Sequence, residues 1–122
     1  MTFSSRIKPY FIEETRQRGK EYFQFNRVID MASTRTSLRG LVKGSRTYHC
    51  GFEMESADKG RNISLQIDCD CPSFKHGYHC KHLWALALKV DGDEWADPVL
   101  NAKNVFLVES HEEDDDDYSD DD

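Results

Sequence analysis

Three of the chain's four cysteines and three of its five histidines fall within the fourteen residues Cys69–His82, CDCPSFKHGYHCKH. Soft ligands gathered this densely constrain a fold strongly, because whatever joins them fixes the chain on both sides. The constraint matters in 122 residues, where an apolar core alone supplies limited stability. No stretch approaches the ~20 apolar residues that cross a bilayer. The opening MTFSSRIKPYFIEE lacks the apolar run of a secretory signal. The expectation is a soluble, intracellular protein, cytoplasmic or, in a eukaryote, nuclear. In such a reducing setting close-set cysteines are metal ligands more often than disulfides.

The neighbouring pattern says how the ligands are presented. RNISLQIDC alternates Ile63, Leu65 and Ile67 to one side, so a strand delivers Cys69 to the core face, and Cys71, two residues on, projects the same way. Pro72 stops the strand. Cys80 and His82, again two apart, open an apolar helical run. A C-x-C pair at a strand end and a C-x-H pair at a helix start supply four sulfur and nitrogen donors, the tetrahedral set of a structural zinc site. The positive end of the helix favours the thiolate of Cys80. A disulfide would leave His82 without a role and one thiol over. His76 and His79 are alternatives to His82, but His79 adjoins Cys80 and would have to coordinate from a residue pointing elsewhere; both read as loop residues. A nucleophilic Cys80 assisted by His82 needs an orienting carboxylate and an oxyanion donor, and neither can be named, so the expectation is no enzyme. Cys50, on one face with Tyr48, Phe52 and Met54, reads as a small buried hydrophobe outside the site.

The rest of the chain predicts an α+β fold. Ser4–Asn26 is helical in pattern, with Ile7, Phe11, Tyr22 and Phe25 on one face, Pro9 in the first turn and Gly19 as an interruption. RVIDMAS, SLRGLVKG, RTYHCGFEM and RNISLQIDC read as a three- or four-stranded antiparallel meander, with Gly44 and Ser45 as a two-residue hairpin turn. HLWALALKV places Leu83, Leu86, Ala87 and Val90 at helical spacing, Trp84 in the core and Gly92 at the C-cap. The architecture is an N-terminal helix, a small meander, a metal knuckle and a C-terminal helix packing back on the sheet. Residues 91–108 carry no clear pattern. Residues 1–108 form the expected domain and 109–122 a disordered acidic tail.

The net charge of −7 divides unevenly. All 16 basic residues lie at or before Lys103, while ten of the 23 acids lie in residues 109–122, leaving a body of +3 and a tail of −10. Ten of the basic residues come at or before Arg46. Arg35, Arg39, Lys43 and Arg46, on or beside a hairpin, and Lys75 and Lys81, near the knuckle, are the candidates for nucleic-acid phosphates. A solvated sheet face is the other reading of the same charges.

The pattern Cys69-Asp-Cys71, eight residues, Cys80-Lys-His82 and an apolar helix closely resembles the SWIM zinc finger, whose signature is C-x-C, a variable gap and C-x-H. RGKEYFQFNRV, LRGLVKGSRTYHCGFEM and CDCPSFKHGYHCKHLWALAL are similar to successive segments of that family in bacterial proteins, over about residues 18–90. The resemblance implies one zinc per chain on Cys69, Cys71, Cys80 and His82. It also implies a module that binds DNA or protein without catalysis, with no small-molecule substrate and no membrane. The family occurs in bacterial helicase-like ATPases related to chromatin remodellers, in MuDR-type transposases and in recombination accessory factors. No GxxxxGK[ST] is present, so this chain would supply an accessory end of such an ATPase. Nucleic acid stands ahead of protein as partner.

Overall fold

The structure, a computed structural model, describes residues 2–75 and 79–109, apart from the side chains of Ser73 and Lys75. The four alternating runs pair antiparallel in chain order as β1 (Val28–Ser33), β2 (Ser37–Lys43), β3 (Thr47–Ala57) and β4 (Asn62–Cys69). One face carries Leu38, Val42, Tyr48, Cys50, Phe52, Met54, Ile63, Leu65, Ile67 and Cys69, all buried, as the period of two demands. In β1 only Val28 is buried, and an irregularity between Val28 and Asp30 leaves Ile29 exposed. The β2–β3 turn has three residues, Gly44 to Arg46, between the paired Lys43 and Thr47, rather than the two expected.

A fifth strand, β5 (Asn104–Glu109), lies parallel to β4 at the sheet edge. The antiparallel meander therefore ends in one parallel pair. Parallel neighbours need a long crossover, here made by three helices and a 3₁₀ turn at Glu94–Ala96, so no local turn signal announces the strand. The expected boundary falls inside it, since Glu109 closes β5; residues 110–122 lie outside the described residues.

The expected N-terminal helix is broken. α1 (Phe3–Ile7) is capped by Thr2 and followed by a 3₁₀ turn, Lys8–Tyr10, and only then does α2 (Glu13–Gln24) begin. Pro9 has no N–H to continue an α-helical ladder and its ring crowds the preceding turn. The break lets Phe3, Ile7 and Phe11 all enter the core, with the Phe3 ring edge-on to Phe52 at 5.1 Å. Tyr22 is half-buried and Phe25, at 72% exposure, leaves the expected face.

After a short helix α3 (Pro72–Lys75), α4 (Lys81–Val90) packs on the buried sheet face and against α2. Gly19 does not interrupt α2. The two helices approach so closely there that a Cβ would stand 2.8 Å from the Lys81 carbonyl oxygen and from Trp84 Cβ. Trp84 is buried beside Phe11. Gly92, at φ +89°, turns the chain out of α4. Asp91, just before it, accepts hydrogen bonds from the Ser4 backbone N–H and hydroxyl at 2.8 and 2.7 Å, tying α1 to the end of α4. The chain then passes through α5 (Asp97–Asn101) to β5. Arg6 donates to the carbonyls of Leu100, in the last turn of α5, and of Ala102 just after it. Among the described residues no helix is long and apolar enough to cross a membrane.

Candidate metal centre

Cys69, Cys71, Cys80 and His82 converge. Each offers one ligand atom, these atoms all lie within 4.8 Å of one another, and all four residues are buried. β4 brings Cys69 and Cys71 to the core side, α3 folds back so that the Phe74 N–H donates to Cys71 Sγ at 3.4 Å, and α4 starts with Cys80 as its N-cap. His82, in the first turn, directs Nδ1 towards the sulfurs, 4.0 Å from Cys69 Sγ. Its ring is held by Tyr48 at 4.5 Å and Tyr22 at 5.3 Å between centroids, and its Nε2 is buried with no partner among the described residues.

The electrostatics favour a cation. Cys71 is held well below the ordinary thiol range because Cys69 and Cys80 donate hydrogen bonds to its sulfur. Cys69 is pushed up by its bonds to Cys50 and Cys71, and Cys80 by its bonds to Cys69 and Cys71 and then by burial. Without a metal one thiolate is stabilised at the expense of the other two. A divalent ion removes that conflict, since it draws every coordinating thiol into the thiolate form. Three cysteines and one histidine close a tetrahedron and leave no open position, the arrangement of a structural rather than a catalytic zinc. The residues present fit one zinc ion.

Cys50 lies outside the four ligands but not away from them. It is the cross-strand partner of Cys69, with the sulfurs 3.1 Å apart. The hydrogen bond to Cys69 favours its thiolate, but burial and the neighbouring thiols outweigh this and its pKa is raised. His79 turns elsewhere: its Nε2 is 3.5 Å from Glu109 and its ring lies tilted against Phe11 at 5.5 Å between centroids. His76 lies outside the described residues.

Sequence reasoning missed the bracing of the C-x-C corner. Asp70, between the two ligands, accepts from the His49 backbone N–H at 2.9 Å, its carboxylate meets His49 Nδ1 at 3.2 Å, and its own N–H donates to the His49 carbonyl. The polar residue inside CDC was the only signal available.

The six cationic candidates do not form one surface. Arg39 reaches across β3 to Asp68 in a two-point ion pair at 2.6 and 2.7 Å. Arg39, Gly51 and Asp68 are in register on three strands, and the guanidinium occupies the space where a Gly51 side chain would stand. Arg35 lies in the β1–β2 turn at the far end of the sheet, and the Lys75 side chain lies outside the described residues. Lys43, Arg46 and Lys81 are at the metal end. Gly44, between the first two, packs against the Tyr22 hydroxyl and His82, and Lys81 Nζ lies 5.7 Å from the Tyr22 ring centroid.

No curated protein and no solved structure gives a match. One family model matches, over residues 48–91, which run from β3 through both halves of the ligand set to the end of α4. It is the model of the SWIM zinc finger, and the four donors inside the matched stretch form a cluster that could hold one zinc ion.

Proposed function

We propose that this chain is a zinc-stabilised recognition module whose partner is nucleic acid, with zinc held by Cys69, Cys71, Cys80 and His82 and with no catalytic role. The closed, buried ligand set carries the reading: it leaves no coordination position for a substrate or an activated water. What remains for function is the surface that the metal holds in shape, and modules of this family serve DNA or protein interaction. The cations gathered at the metal end favour nucleic acid. The resemblance to modules of helicase-like ATPases fits a part that places a larger machine on its substrate.

A protein partner has one observation in its favour. β5 is a sheet edge, and Phe106 and Val108 on it are 48% and 44% exposed, a surface open to strand addition. Metal analysis and fluorescence anisotropy separate the readings. The purified chain should contain about one zinc, unfold when chelated, and bind a labelled oligonucleotide with a salt-dependent affinity. A folded zinc-free chain at neutral pH would overturn the metal assignment. Zinc-loaded protein that binds no oligonucleotide would move the function to the β5 edge.

A further inference from the structure

We propose that Tyr22, Phe25, Arg27, Lys43, Arg46 and Lys81 form a binding surface for single-stranded nucleic acid at the metal end of the molecule; this rests on the nucleic-acid reading above and specifies its site and strand state. The surface begins with the way α2 ends. Asn26 takes φ +58°, its N–H bonds to the Phe23 carbonyl, and the Arg27 N–H bonds to the Tyr22 carbonyl at 2.9 Å. This pair of bonds is a Schellman turn. It folds the chain back so that the Arg27 guanidinium stands over the Tyr22 ring at 5.9 Å, while Lys81 approaches the same ring at 5.7 Å. Two cations therefore share one tyrosine, an arrangement that gathers positive charge without a carboxylate.

The β2–β3 loop adds two more. The Lys43 N–H donates to the Arg27 carbonyl at 2.8 Å, and Gly44 packs on the Tyr22 hydroxyl, so Lys43 and Arg46 are carried to the same corner, both exposed. None of these four cations has an ion-pair partner among the described residues. Arg39 does, which removes it from the surface. Uncompensated cations on a small area fit a phosphate chain.

Phe25 decides between one strand and two. It adjoins the cations at the end of α2, and its ring is 72% exposed. A duplex keeps its base faces stacked inside and offers this ring nothing but phosphates and base edges. An unpaired strand offers the face of a base, and an aromatic platform beside a cationic track is how proteins hold single strands irrespective of sequence.

The test is fluorescence anisotropy of the full zinc-loaded chain with a labelled oligothymidylate and with a duplex of equal length, over a range of salt. With four phosphates contacted, log Kd on the single strand should change with log salt at a slope of about 2.8, and Arg27→Ala/Lys81→Ala should bring it to about 1.4, taking roughly 0.7 per phosphate. Lys43→Ala/Arg46→Ala should do the same without touching the residue next to His82. Phe25→Ala should weaken oligothymidylate binding at least about fivefold, the low end for one stacked base, with the slope unchanged. Arg35→Ala/Lys103→Ala, at the other end of the sheet, should bind as the wild type does, and zinc content should stay constant in all variants. The surface is wrongly placed if the distal pair weakens binding as much as the two proximal pairs do. Tighter binding to the duplex, or an unaffected Phe25→Ala, overturns the single-strand assignment. A zinc-loaded wild type that binds neither probe overturns this proposal together with the nucleic-acid function.

Discussion

A zinc ion that loses one of four donors in a buried site loses the charge balance that kept three thiols together. Structural zinc in small sites is worth about 10–16 kcal/mol apparent, while a whole domain retains about 5–15 kcal/mol of net stability. Cys69→Ser and His82→Ala should therefore abolish stoichiometric zinc and the cooperative melting transition, as read by metal analysis and circular dichroism. Cys50→Ala tests the other side of the assignment. Its sulfur is 3.1 Å from Cys69, yet the tetrahedron is complete without it, so the variant should retain one zinc and lose only about 1 kcal/mol in packing. Loss of zinc in that variant would make Cys50 a ligand. The four donors themselves were legible, because strand alternation and helix start each bring a two-residue pair to one side. The contact of Cys50 with Cys69 was not: the period of two gives a side chain's face, but its cross-strand partner depends on the length of the β3–β4 turn, which the pattern does not state.

Where α2 crosses α4, two effects of opposite sign meet at Gly19. Alanine gains about 1 kcal/mol over glycine in helix propensity, but its Cβ would stand 2.8 Å from a backbone carbonyl and from Trp84 Cβ, neither of them a flexible side-chain end. Overpacking of this kind costs about 1–3 kcal/mol, so Gly19→Ala should lower stability on balance. The carbonyl that is struck belongs to Lys81, next to His82, and the same variant should also release zinc more readily to a competing chelator. Unchanged melting and unchanged competition would show that α2 shifts freely. Other elements were legible in proportion to how local their causes are. β2, β3 and β4 repeat a short alternation, and α4 carries its apolar positions at helical spacing. Pro9 marked a helix start in the sequence and proved to be a break, because the Thr2–Ser5 cap lets a separate short helix precede it. β5 depends on a crossover of three helices, a cause spread over some thirty residues between Cys69 and Asn104.

At the scale of the whole molecule the charges oppose each other. With Glu109 inside β5, residues 1–109 carry a net +2, and the nine acids Glu112, Glu113, Asp114–Asp117 and Asp120–Asp122 follow within thirteen residues. A polyanion tethered to a cationic surface competes with phosphate at a high effective concentration. The competition is electrostatic and weakens as the screening length falls to about 8 Å at physiological salt. Removing residues 110–122 should then tighten oligonucleotide binding at low salt, with full-length and truncated chains converging as salt rises, while zinc content and melting temperature stay the same. The truncation is placed after Glu109 because that residue ends β5 and faces His79; cutting further back would confuse a change in charge with a change in fold. Charge neutralisation gives the control, since replacing the nine acids by their amides should reproduce the truncation without shortening the chain. Equal affinity of all three forms at low salt would mean that the acids do not reach the cationic corner, and would leave them the simpler task of keeping the protein apart from its own copies.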